Sequence, residues 1–260
     1  MKKVKYIFLF LTIISLVLAS CTSEDQDDSV TSLKTIVETS EGGNVTTTSF
    51  VYNGAEIASI EDNSSLKTFK YTAGLITAIE TTNKSTSVKT SVDYFYLNGD
   101  LIKVEATGDY MINYVHNNDG TVSFEKFDIS VPNVETKMYH GVLTLSGGNI
   151  IKVDRTDDNV AAGVISKYSV TYGYDAKVNP LHDIVGYEKL LDHEGIVSLN
   201  NYVVSTVETS IESNGQIISS ASYYKNTFEY NNGNYPTAKK SLVSIPHKGI
   251  TLNLDATYNY

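Results

Sequence analysis

The chain of 260 residues has one cysteine, at position 21, and no tryptophan. A single thiol excludes an intrachain disulfide framework and every cysteine-rich metal site. Its longest apolar run, Tyr6 to Leu18, is broken only by Thr12 and Ser15. It falls short of the roughly 20 residues that a spanning helix needs. Positive charge is also scarce, with 20 Lys and Arg against 30 Asp and Glu, which argues against nucleic acid or anionic lipid as a partner. No HExxH, CxxC or GxSxG motif occurs, and no phosphate-cradling glycine loop. No cofactor and no metal is expected, and the chain reads as non-enzymatic.

What is present begins with an address. Lys2, Lys3 and Lys5 precede the apolar run, and Leu18, Ala19 and Ser20 lead into Cys21, the layout of a secretory signal peptide with small residues before its cut. Leu18-Ala19-Ser20-Cys21 resembles the lipobox of bacterial lipoproteins. The resemblance implies lipidation of Cys21, cleavage before it, and membrane attachment through its acyl chains. Loss of residues 1–20 removes three lysines and no acid, moving the formal charge from −10 to −13. Residues 21–33 read as an acidic flexible tether, with too little apolar surface to fold. Its acids, Glu24 to Asp28, resemble the surface-export signal of Bacteroidota lipoproteins, which implies an outer-membrane protein facing the exterior. A plain spacer on the periplasmic face is the alternative. Asp28-Ser29-Val30 resembles the short O-glycosylation motif of the same bacteria, making Ser29 a candidate acceptor.

Residues 34–260 read as one all-β domain. Nineteen tyrosines and eight phenylalanines favour strands, and a repeat organises them. Phe69, Tyr71, Gly74, Ile76 and Ile79 set a template of two aromatics two apart, a glycine, then two aliphatics three apart. Phe50 to Ile60, Tyr94 to Val104, Leu143 to Val153 and Phe228 to Ala238 repeat it. The leading pair shares one face of a strand, and the glycine turns the chain into a hairpin. Asn53-Gly54, Asn98-Gly99 and Asn232-Gly233 are turn dipeptides of this kind. Aliphatics three apart do not fit a period of two, so either they serve opposite faces or a bulge re-aims one of them. Leu252 to Tyr260 alternates as a closing strand.

This unit resembles the tyrosine-dipeptide repeats of the RHS family and, more closely, small Bacteroidota lipoproteins of unknown function. The resemblance carries structural information and no activity. The expected architecture is an antiparallel meander of hairpins in a twisted, curved sheet or open barrel. One insertion, about residues 178–200, breaks the pattern. Leu181, Ile184, Val185, Leu190 and Leu191 behind Pro180 suggest a short helix, weakened by Gly186.

That insertion gathers His182, Asp183, Asp192, His193 and Glu194, a candidate ligand-facing wall, although exposed polar residues would explain the cluster equally. Asp154, Asp157, Asp158 and Asn159 could offer oxygens to calcium but lack EF-hand spacing; a solvated turn is the alternative. Tyrosines such as Tyr94, Tyr96, Tyr110 and Tyr114 could stack on sugars or peptides, or simply pack. The function expected is a lipid-anchored envelope lipoprotein that binds a glycan, a peptide or an envelope protein. Alternatives are an anchored polysaccharide hydrolase and a structural subunit of an envelope complex.

Overall fold

The computed structural model describes residues 32–193 and 197–260. Sixteen antiparallel strands follow in chain order, each paired with the next: β1 (Thr35–Ser40), β2 (Val45–Asn53), β3 (Glu56–Glu61), β4 (Ser65–Thr72), β5 (Leu75–Asn83), β6 (Lys89–Leu97), β7 (Asp100–Ala106) and β8 (Tyr110–His116). The second half comprises β9 (Val122–Asp128), β10 (Thr136–Ser146), β11 (Asn149–Asp157), β12 (Val164–Val178), β13 (Asn200–Ser213), β14 (Gln216–Tyr230), β15 (Pro236–Ile245) and β16 (Ile250–Asn259). β16 pairs with β1, from Thr35↔Asn259 to Ser40↔Leu254, and closes the sheet into a barrel. The expected meander is present; the sheet is closed rather than open. Leu33, placed in the tether by sequence, is fully buried in the core.

The repeat determines the barrel's local geometry. In all five copies the register shifts once, at Val51/Tyr52, Lys70/Tyr71, Phe95/Tyr96, Thr144/Leu145 and Glu229/Tyr230. One extra residue on the returning strand therefore separates the two trailing aliphatics. The bulge reading is the one realised: Ile76 and Ile79, or Leu101 and Val104, both turn inward although three apart, and all four are buried.

A bulge frees backbone groups that the next hairpin must satisfy. Tyr71 Oη accepts the Ile57 N–H at 3.1 Å, and Tyr96 Oη donates to the Ile76 carbonyl at 2.8 Å. Tyr174 and Tyr260 donate likewise to the carbonyls of Ile150 and Pro236, at 2.6 and 2.9 Å. The repeated tyrosine is thus a latch from one hairpin to the bulge of its predecessor. Tyr96→Phe leaves the Ile76 carbonyl without that donor and should cost about 1–3 kcal/mol in urea unfolding. Tyr223→Phe, on a half-exposed outward ring, should be neutral.

Each dipeptide stands at a turn, but only one supplies both turn residues: at Asn53-Gly54 the loop is Gly54-Ala55, with Asn53 paired to Glu56. Asn98 and Gly99 both have positive φ, 54° and 87°, as a type I′ turn requires. At Asn232-Gly233 the positive φ falls instead on Asn234, at 65°.

Inward residues of β2 to β12 form one apolar core with Ile184, Tyr187, Leu190, Leu191 and Val197 of the β12–β13 connection. The outward face mixes paired charges, Lys89 with Glu80, Lys103 with Glu105, Lys137 with Glu125 and Lys152 with Asp154, all at 2.6–2.8 Å, with exposed apolar side chains such as Val51, Phe95, Val115 and Leu242.

Candidate functional site

The β12–β13 connection caps one end of the barrel with its described residues, 179–193 and 197–199. Its neck is zipped by buried amides: Asn179 Nδ2 donates to the Ser198 carbonyl at 2.9 Å, and Asn149 Nδ2 donates to Asn200 Oδ1 at 3.0 Å. Asn149 Oδ1 in turn accepts the Asn200 N–H at 3.0 Å. Ser198 Oγ accepts the Ile150 N–H at 3.2 Å. Each is a buried polar group satisfied by a strand end, so the loop is fixed rather than draped.

The expected helix is absent; a single 3-10 turn, Tyr187–Lys189, takes its place. Gly186 explains the difference. Its φ is +73°, and a Cβ there would stand 2.8 Å from the Gly74 carbonyl oxygen. The chain passes too close to the β4–β5 turn, in the wrong conformation, for helix to continue.

Of the sequence-nominated residues, the fold brings two together and separates the rest. Asp192 Oδ2 accepts the Tyr94 hydroxyl at 3.1 Å, and its Oδ1 lies 3.0 Å from His193 Nδ1. Asp183 instead accepts the Tyr235 hydroxyl at 2.6 Å, beside the β14–β15 turn. His182 has a buried Nδ1 without a hydrogen-bond partner. Glu194 lies outside the described residues, as do Leu18, Ala19, Ser20, Cys21 and Ser29. Of the four described members, Asp192 and His193 are in contact, and Asp183 has a partner of its own. Among the described residues no group of acids, histidines or cysteines could hold a metal ion. The calcium candidates are likewise dispersed, Asp154 to Lys152, Asp157 to Arg155 and Asp158 to His140.

Asp192 and His193 hang over a chamber of about 290 Å³ inside the barrel. Phe69, Tyr94, Tyr110 and Tyr187 supply aromatic walls, and Lys67 and Thr81 lie toward the uncapped end. The Tyr187 ring sits between Phe69 and His193, with centroids 6.3 and 6.0 Å away. Burial pushes the Tyr94 and Tyr110 phenols up, and the Asp192 carboxylate adds to it. Both therefore stay protonated donors across the whole neutral range. The chamber combines aromatic faces, one carboxylate, one ammonium and several hydroxyls, a mixture suited to a small polar ring.

Sequence offers Tyr94 only as a ring for stacking or packing. Its link to Asp192 spans 98 positions, and no local pattern announces it.

A larger cleft, about 810 Å³, crosses β10 to β14 on the outer face. The Phe124 ring fills the inner side of this row at Gly141, so the cleft opens outward. Its groups are largely engaged already, as Asp154 is with Lys152 and Ser169.

No protein-family model matches the chain, and no curated protein does. Among solved structures it is similar to a porin-like protein from Bacteroides uniformis ATCC 8492, at 10% identity and a TM-score of 0.51. The match covers 87% of this chain and 97% of that one. What the two share is the barrel.

Proposed function

We propose that the protein is a non-enzymatic, lipid-anchored outer-membrane lipoprotein whose barrel works in water as a binding module. One observation carries this reading: Lys–Glu and Lys–Asp pairs stand on the outward face of β5 to β7 and β9 to β11, so the exposed apolar side chains around them, such as Phe95 and Val115, do not join into the unbroken band that lipid requires. A charge at mid-bilayer on a barrel's lipid face costs about 2–4 kcal/mol. This barrel would incur that cost at each of these pairs. Attachment then rests with Cys21, whose setting resembles a lipobox, and the acids behind it support display at the cell exterior. The similarity to a porin-like protein fits an envelope setting and lends the barrel, not a pore.

The chamber below Tyr187, Asp192 and His193 is the ligand site in this reading, with a sugar-sized ring against Tyr94 and Tyr110. Tyrosine fluorescence of the full chain, titrated with neutral, acidic and N-acetylated monosaccharides, tests it. A saturable response to at least one class is expected, lost in Lys67→Met and in Tyr110→Leu. A flat titration with all three would remove the chamber as a sugar site.

A further inference from the structure

The barrel's two rims are not alike. β14 pairs with β13 from Gln216↔Ser213 to Lys225↔Val204, but with β15 only from Tyr223↔Ser244 onward. Residues 216–222 thus extend beyond the closed wall. The facing stretches of β13 and β12 stand behind them, and β12 from Ser166 on is laddered to β11. These residues are therefore the free edge of a raised lip of the wall, without a ladder partner on the β15 side among the described residues, where the 3-10 turn Pro246–Lys248 lies near β14.

Natural proteins blunt such edges with lysine, proline, a bulge or a cover. This one reads Gln216-Ile217-Ile218-Ser219-Ser220-Ala221-Ser222, without a charge or proline and without a register shift against β13. Ile217 and Ile218 are 65% and 75% exposed. The turn fixes which backbone groups are free. Asn214 and Gly215 form a two-residue turn, both at positive φ, so Ser213 and Gln216 are a hydrogen-bonded pair and the pattern alternates from there. Ile217, Ser219 and Ala221 therefore aim their N–H and C=O groups away from β13.

We infer that this edge pairs with the same edge of a second copy of the chain, antiparallel, about a two-fold axis at Ser219. The segment is its own complement. Ser219 meets Ser219, Ile217 meets Ala221 on one face, and Ile218 meets Ser220 on the other, so large faces small and no charge opposes a like charge. Roughly six main-chain hydrogen bonds form, two at each of three pairs. Isologous pairing of this kind closes on itself and yields a dimer, not a fibre.

The test is a crosslink in the full chain as expressed in its own envelope. Across a hydrogen-bonded pair the two Cα atoms lie about 5.5 Å apart, within disulfide reach. Ser219→Cys should oxidise to a species of twice the monomer mass. Thr251→Cys, at the same rim on β16, should stay monomeric, as should the wild type. Adding Ala221→Pro removes a free-edge N–H without touching the β13 ladder and should abolish the Ser219→Cys dimer. Ile218→Lys is a second block that leaves every backbone group in place. Circular dichroism melts close to wild type establish that both variants fold. Equal crosslinking in Ser219→Cys and Thr251→Cys, a dimer that survives both blocks, a crosslinked partner of another mass, or no crosslink would each overturn the assignment.

Discussion

Gly141→Ala is expected to destabilise the barrel by about 3 kcal/mol or more, at the upper end for overpacking a core. A Cβ there would lie 2.2 Å from the Asp154 carbonyl oxygen and 2.4 Å from Phe124 Cζ. The ring could rotate, but the carbonyl belongs to the adjacent strand and is held by the ladder. For a domain of this size the loss corresponds to a fall in Tm of roughly 10 °C. Phe124→Leu in the same chain should recover only part of it, because the backbone contact stays. Thermal melts of the two variants decide the matter. A single variant within 2 °C or so of wild type would mean that β10 and β11 are not packed as described.

The second large effect is alkaline unfolding. Burial pushes the Tyr52 and Tyr71 phenols up to about 12, and raises Tyr94, Tyr96, Tyr187 and Tyr258 further in the same direction. An unfolded tyrosine ionises near 10. Below pH 10 both states hold the proton, so stability does not depend on these groups. Above it the unfolded chain releases protons that the folded chain keeps, and stability falls as pH rises toward the folded values. Because many such rings line one interior, the losses add, and the barrel should open cooperatively between about pH 10 and 12. Phenolate absorbance and the β-sheet circular dichroism signal should therefore change together. Ionisation of most tyrosines near pH 10 with the sheet signal intact would contradict an interior lined by buried phenols.

The local grammar of this fold was legible and its closure was not. Phe69-x-Tyr71, the turn glycine and the paired aliphatics specify a hairpin with nothing but neighbouring residues, and the hairpins stand where those residues put them. The spacing of Ile76 and Ile79 left two readings open, because a bulge is a relation between strands and shows in sequence only as a broken period. Closure depends on β1 meeting β16 across more than 200 residues, and no hairpin signal reports it. Asn234 took the left-handed position expected of Gly233 because either residue tolerates it.

At the capped end the pattern misled in an instructive way. Leu181, Ile184, Leu190 and Leu191 are all in contact with the core, as an amphipathic helix would have them. They reach it from an irregular loop instead, held by Asn149, Asn179, Ser198 and Asn200. Buried amides of this sort have no periodicity to betray them. Asp192 and His193 were nominated by proximity in sequence to Asp183, yet they act with Tyr94, and Asp183 with Tyr235.

The central claim is that the barrel sits in water and only the amino-terminal cysteine holds it to the envelope. Fractionation of cells carrying Cys21→Ala tests it most directly. The variant should leave the outer membrane and appear in the soluble fraction, folded by circular dichroism, while the wild type stays with the membrane and takes up labelled fatty acid. A folded Cys21→Ala protein that resists extraction from the outer membrane as an integral barrel does would contradict the account.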